Sequence, residues 1–164
     1  MRACVVCAGE IQDYQRITAW VQGAELVIAA DGGANHLHQM GLRPHIILGD
    51  MDSIEPALWV DTPGIERISH PVEKDATDTE LSIQLALDRG AQKITLLGAA
   101  GGRLDHTLGN LSLVAKYPGV VHMQNDGETI VAVDPTSPLY CTGAPKTPVS
   151  LVPFPAATQI TTEG

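Results

Sequence analysis

The chain has 164 residues, 44% of them hydrophobic, with 19 acidic against 10 basic side chains and a formal charge of −9. That composition suits one globular core and speaks against disorder. The acidic excess, with no Lys/Arg-rich run, argues against nucleic acid and anionic membrane surfaces as partners, and no apolar stretch approaches bilayer length.

Along the chain, short apolar runs alternate with segments of helical periodicity. The opening MRACVVCAGE is too short and too soon broken by Gly9 and Glu10 for a signal peptide, so a cytoplasmic location is expected. Cys4 and Cys7 form a CxxC, but residues three apart on a strand point to opposite faces, and no second Cys/His pair completes a zinc site. They are expected to be buried structural cysteines.

ACVVCAG, ELVIAADGG, PHIILGD, IERISHP and KITLLGAAG read as strands, most too continuously apolar to face water on one side. YQRITAWVQG, NHLHQMG, EPALWVD and DTELSIQLALDRG read as the helices between them. The alternation predicts an α/β fold, a mostly parallel open sheet with helices on both faces. In TDTELSIQLALDRG, Thr77 and Glu80 form a capping-box pattern and Gly90 follows the last turn, with Leu81 and Leu85 on one face. RLDHTLGNLSLVAKYPG predicts a further helix with Leu104, Leu108, Leu111 and Ala115 on its apolar side. VVHMQND and TIVAVD predict a strand pair around an Asn-Asp-Gly turn.

After Asp134 prolines crowd the chain and helical periodicity ends. LYCTG, VSLVPF and QITTEG are expected to be short strands opening an all-β unit too small to close on itself. The expected division is residues 1–134 as an α/β domain and 135–164 as the beginning of an all-β unit.

Ligands of open α/β sheets bind beyond the carboxyl ends of the strands. Four successive strand exits carry carboxylates here: Asp31; Asp50 and Asp52; Asp75 and Asp78, with Lys74; and Asp105, with Arg103 and His106. Singly, each suits a turn or a helix N-cap. Jointly they place negative charge on one rim, where two carboxylates about 4 Å apart repel by roughly 4 kcal/mol at an effective dielectric near 20. Mg²⁺, a hard cation that uses carboxylates, waters and substrate phosphates, is the natural occupant.

Gly32-Gly33, Gly98 and Gly101-Gly102 lie at the same exits, where their N–H groups could cradle phosphate, although neither the Walker pattern nor GxGxxG is present. Arg103, His106 and Asn110, three and four apart, would share one helical face toward the rim. Gly109 within that helix suggests close backbone approach. His36 and His38 are expected at the surface, and Trp20 and Trp59 in the core.

DGGAN (31–35), GDMDS (49–53), EKDATDTELSIQLAL (73–87) and GGRLDHTLGNL (101–111) together resemble, in order and spacing, the signature blocks of thiamine pyrophosphokinases. The resemblance covers roughly residues 4 to 134. It implies an N-terminal catalytic α/β domain and a C-terminal β-sandwich, of which residues 135–164 would be the truncated beginning. It also implies a homodimer that moves a pyrophosphoryl group from ATP to the hydroxyl of thiamine, giving thiamine diphosphate and AMP. By the same resemblance Asp50 and Asp52 ligate metal and phosphate, and Asp75 and Asp78 join their cluster, with Lys74 nearby. The expected metal ligands are thus Asp50, Asp52 and Asp78, with Asp75 also catalytic. Arg103 and Asp105 contact nucleotide or phosphate, and Asp31 and Asn35 lie near the reacting groups. His106 and Asn110 rest on helical spacing alone. The family's later sandwich strands have no counterpart in the sequence.

Two other readings fit the carboxylates. A Mg²⁺-dependent phosphohydrolase would use Asp50 as nucleophile, but its DxD belongs on the first strand rather than the third. A non-catalytic nucleotide- or thiamine-binding module would use the same rim without turnover.

Overall fold

The computed structural model describes residues 1–54, 62–70, 76–136 and 138–154. The expected EPALWV helix, Lys74, Asp75 and QITTEG lie outside these residues.

Seven strands form one sheet: β1 (Arg2–Val6), β2 (Leu26–Ala30), β3 (Ile46–Gly49), β4 (Glu66–Ser69), β5 (Lys93–Leu97), β6 (Val121–Asn125) and β7 (Glu128–Val131). Their order is β4-β3-β2-β1-β5-β6-β7. All neighbours are parallel except β6 and β7, an antiparallel pair in which Asn125 faces Glu128 across Asp126-Gly127. Continuous apolar runs fall at the centre because both faces there are covered: every residue of β2 is buried. β4, the edge, is mostly exposed and carries Glu66 and Arg67, charges that discourage further strand pairing.

The helices are α1 (Tyr14–Gln22), α2 (Gly33–Gln39), α3 (Asp78–Asp88) and α4 (Leu104–Lys116). Ile17 and Val21 of α1 and Leu37 of α2 pack on Cys4, Val6, Val27, Ala29 and Ile47. Ile83 and Ala86 of α3 and Leu113 and Val114 of α4 pack on the opposite face, over Val5, Ile28, Ile94, Leu96 and Met123. The chain steps outward from β1 to β4 with α1 and α2 on one face. It then crosses back to β5 on the other side of β1, with α3 and α4 on the opposite face, so the strand order reverses between β1 and β5. That reversal opens the crevice in which such sheets bind ligands.

Sequence patterns placed the elements better than the faces they bury. Thr77 caps α3 as expected, its hydroxyl accepting from the Glu80 N–H at 3.2 Å. The buried face of α3 is Thr79, Ser82, Ile83 and Ala86, with Leu81 and Leu85 only half-buried. On α4 only the first half of the expected apolar side is turned outward: Leu104 and Leu108 are 72% and 49% exposed. Leu111 and Ala115 are half-buried, with Leu111 packed on the core, and the fully buried residues are Asn110, Leu113 and Val114. Gly109 has open space around it rather than a close neighbour.

Cys4 and Cys7 are free, buried and on opposite faces. Burial raises both thiols, Cys7 to about 11, which keeps them protonated and unreactive. LYCTG and VSLVPF are not strands. Residues 138–154 run as irregular, exposed backbone, because a strand needs a partner ladder and none is offered among the described residues. Among the same residues no helix is long and apolar enough to cross a membrane.

Candidate functional site

The site begins with backbone geometry at the exits of β2 and β3. Asp31 follows β2 with φ 46°, and Met51 follows β3 with φ 69°. Left-handed backbone outside glycine costs on the order of 1–3 kcal/mol and concentrates where a function holds it. The Asp31 N–H donates to the Leu48 carbonyl at 2.8 Å, extending the β2–β3 ladder one step beyond the strands. Gly49 makes the approach feasible: a Cβ there would sit 3.0 Å from Asp31 Cβ and 3.1 Å from its Cα. Gly33 does the same for α2, since a Cβ would fall 1.9 Å from the Val6 carbonyl oxygen. These two glycines let the loops close onto the end of the sheet.

Three carboxylates meet there. One ligand oxygen each from Asp31, Asp50 and Asp52 lies within 4.8 Å of the others. Asp31 and Asp50 are half-buried and Asp52 exposed. Oδ1 of Asp31 is fully buried and has no hydrogen-bond partner among the described residues. Burial holds the Asp31 carboxyl above its ordinary range, and the charges of Asp50 and Asp78 push the same way, against the Ser53 hydroxyl and Gly32 N–H that favour the anion. A buried acceptor left unpaired and a cluster of like charges are both costly, and a hard cation would relieve both at once.

The surrounding contacts hold this loop in place. The Asp52 N–H donates to Asp50 Oδ1 at 3.2 Å, and the Ser53 hydroxyl to Asp52 Oδ1 at 2.8 Å. Asn35 Nδ2 on α2 donates to the Ser53 carbonyl at 3.0 Å, so Asn35 tethers the β3 exit to the β2 exit. Asp78, the first residue of α3, reaches the group electrostatically through Asp31.

The β5 exit behaves differently. Arg103 and Asp105 are exposed and pair with each other, Nη2 to Oδ2 at 2.6 Å and Nε to Oδ1 at 3.1 Å. The pair holds the Asp105 carboxyl below its usual range. His106 is exposed in the first turn of α4. Asn110 does not share that exposed face. It is buried, and its Nδ2 donates to the Ala99 carbonyl at 2.8 Å, supporting the loop from beneath. The structure therefore brings Asp31, Asp50 and Asp52 together, with Asp78 beside them and Asn35 bracing the loop. Arg103, Asp105 and His106 lie at the neighbouring helix start. Lys74 and Asp75 fall outside the described residues.

Two supporting residues escaped the sequence reading. Glu10 accepts from the Gly102 N–H at 3.2 Å, while its own N–H donates to the Ala100 carbonyl at 2.9 Å. One of the N–H groups expected to cradle phosphate is thus held by a carboxylate of the β1 exit. His36 is half-buried rather than at the surface. Its Nε2–H donates to the Gly9 carbonyl at 2.7 Å, which leaves Nδ1 to accept from the Tyr14 hydroxyl, also at 2.7 Å. No local sequence signal marks either residue, because both act across distant strand exits.

The family model described as "Thiamin pyrophosphokinase, catalytic domain" matches residues 17–125. The chain is 32% identical over 127 residues to the thiamine pyrophosphokinase of Bacillus subtilis, covering 71% of this chain and 54% of that protein. It is 29% identical over 120 residues to thiamine pyrophosphokinase 1 of Oryza sativa subsp. japonica, covering 59% and 46%. In structure it is similar to the crystal structure of thiamin pyrophosphokinase from Geobacillus thermodenitrificans, with a TM-score of 0.64, 30% identity, and coverage of 76% of this chain and 60% of that one. The chain spans about half the length of the curated relatives it matches.

Proposed function

The chain belongs to the thiamin pyrophosphokinase family, and on that footing we propose that it forms the metal- and ATP-binding part of an enzyme that transfers diphosphate from ATP to the hydroxyl of thiamine. The observation that carries this reading is the Asp31, Asp50 and Asp52 cluster on the carboxyl rim, with the Asp31 Oδ1 buried and without a partner among the described residues.

The donor set is all carboxylate oxygen, which fits Mg²⁺ better than a soft or nitrogen-preferring metal. Asp31, Asp50 and Asp52 would hold it, with Asp78 adding negative charge beside them. Bound there, Mg²⁺ would neutralise charge on the phosphate oxygens during transfer. Arg103 at the start of α4 is the cation nearest in role to a phosphate clamp, released from Asp105 when a stronger anion arrives. Asn35 and Asn110 position the loops. The acidic rim also suits the permanent positive charge of thiamine. A homodimer and residues 135–164 as the start of a β-sandwich are parts of the same proposal and rest on the family resemblance, and a cytoplasmic location rests on the character of the opening residues.

The test is product identity. The full-length protein that contains this chain is incubated with ATP, Mg²⁺ and thiamine, and the nucleotide product is resolved by chromatography. AMP together with thiamine diphosphate is expected. ADP or free phosphate as the thiamine-dependent product would overturn the proposal and favour a kinase or phosphohydrolase.

A further inference from the structure

At the end of the sheet opposite the carboxylate rim, where β1, β5 and β6 begin, a cavity of about 320 Å³ opens between the sheet and α1. Its size falls at the lower end for small-molecule sites. Small residues at the end of α1 create it: Ala19, Gly23 and Ala24. Trp20 forms one wall, 40% exposed where the sequence pattern placed it in the core. Its ring meets that of His122 edge-on, centroids 5.8 Å apart, and His122 Nε2 is tied to the Thr95 hydroxyl at 2.9 Å. Two aromatic rings thus line the cavity, that of His122 held by its bond to Thr95.

The two charged residues that line it, Arg2 and Lys93, are both cationic. Arg2 and Lys93 are register partners on adjacent parallel strands, and both line the cavity. Like charges placed directly opposite on neighbouring strands repel. Lys93 Nζ donates to the Gly119 carbonyl, which fixes its position without neutralising it. No ion pair joins the Arg2 guanidinium to a carboxylate among the described residues. Glu25 nearby is engaged with the Arg2 backbone N–H at 2.6 Å and the N-terminal ammonium at 3.9 Å. In a chain with almost twice as many acidic as basic residues, none of the described residues that line this cavity is acidic.

We propose that this cavity is a binding site for a small planar aromatic carboxylate, its ring held against Trp20 and His122 and its carboxylate between Arg2 and Lys93. The site is separate from the carboxylate rim, so the proposal stands whether or not the rim transfers diphosphate. An aromatic body suits the two rings, and one anionic group relieves the Arg2–Lys93 repulsion as a bidentate or bridging acceptor.

The probe is 2-naphthoate, titrated into the ¹⁵N-labelled protein without metal or nucleotide, with the neutral 2-naphthalenemethanol and the cationic 2-naphthylmethylamine as comparisons. Saturable shifts are expected for the Trp20 indole N–H and for the Ala24, Thr95 and His122 amides, with 2-naphthoate binding tightest. Arg2→Gln and Lys93→Gln, both exposed positions, should each weaken it about tenfold, the usual scale for one charge-assisted hydrogen bond. Their unperturbed spectra elsewhere would show that the fold is kept. Equal binding of all three probes, shifts that map to the rim, no saturable binding, or undiminished affinity in the two variants would each overturn the proposal.

Discussion

Asp31 shows how much one residue can carry in this protein. Its side chain is partly withdrawn from water, its backbone is left-handed, and its Oδ1 has no partner among the described residues. A carboxyl whose folded pKa lies above its unfolded value supports the fold fully below the unfolded pKa, near 4, and loses that support as pH rises through the folded pKa. In metal-free protein Asp31 is therefore a liability at neutral pH. We expect metal-free Asp31→Asn to resist urea better than the wild type at pH 7.5, with the difference shrinking toward pH 4. Added Mg²⁺ should reverse the order at pH 7.5, because saturation a hundredfold above Kd stabilises by about 2.7 kcal/mol and the variant lacks a ligand. Urea midpoints at the two pH values, with and without Mg²⁺, read both effects. A variant that gains as much from Mg²⁺ as the wild type would remove Asp31 from the cation site. The sequence marked Asp31 as one of several rim carboxylates. Its place within the cluster depended on Gly49, whose missing Cβ admits Asp31 to the neighbouring strand exit.

The same distinction holds for whole elements. The position of α4 was legible from its periodicity and from Pro118-Gly119, but the face it buries was not. A leucine row at 104, 108 and 111 has the right spacing for a core stripe. The helix nevertheless buries the side that carries Asn110, Leu113 and Val114, because Asn110 is anchored to the Ala99 carbonyl. That bond fixes the rotation of the helix about its axis, and no hydropathy pattern contains it. Gly109 was expected to mark a close contact, yet nothing lies within 4 Å of a Cβ built there. Gly109→Ala should therefore stabilise the chain by about 0.5–1 kcal/mol through helix propensity alone. Chemical denaturation measures it, and a loss of stability instead would mean that this face is covered.

Across the whole molecule, the exits of β2 and β3 and the starts of β1 and β5 differ in charge. The carboxyl rim gathers Asp31, Asp50, Asp52 and Asp78, whereas the strand starts gather Arg2, Lys93 and His122. His122 feels that arrangement. Burial, and then the charge of Lys93, hold its imidazole below the ordinary histidine range. A histidine with a depressed folded pKa supports the fold above its unfolded pKa, about 6.5, and loses that support as pH falls through the folded value. Between pH 7.5 and 5.5 the wild type should consequently lose more stability than His122→Asn, read as the change in urea midpoint. Parallel losses in the two proteins would show that His122 is not held neutral. What the sequence determined by itself was the order of strands and helices through β7, the apolar character of the central strands, and the placing of Asp31, Asp50 and Asp52 at strand exits. Each follows from local rules, since hydrophobic periodicity, caps and the direction of parallel strands repeat along the chain. Tertiary structure alone decided that Asp31, Asp50 and Asp52 converge, that α4 turns Leu104 and Leu108 outward, and that a cavity lined by two cations and two aromatic rings lies at the far end. Those outcomes rest on contacts between residues distant in the chain, chosen by close packing and by the cost of leaving buried polar atoms unpaired.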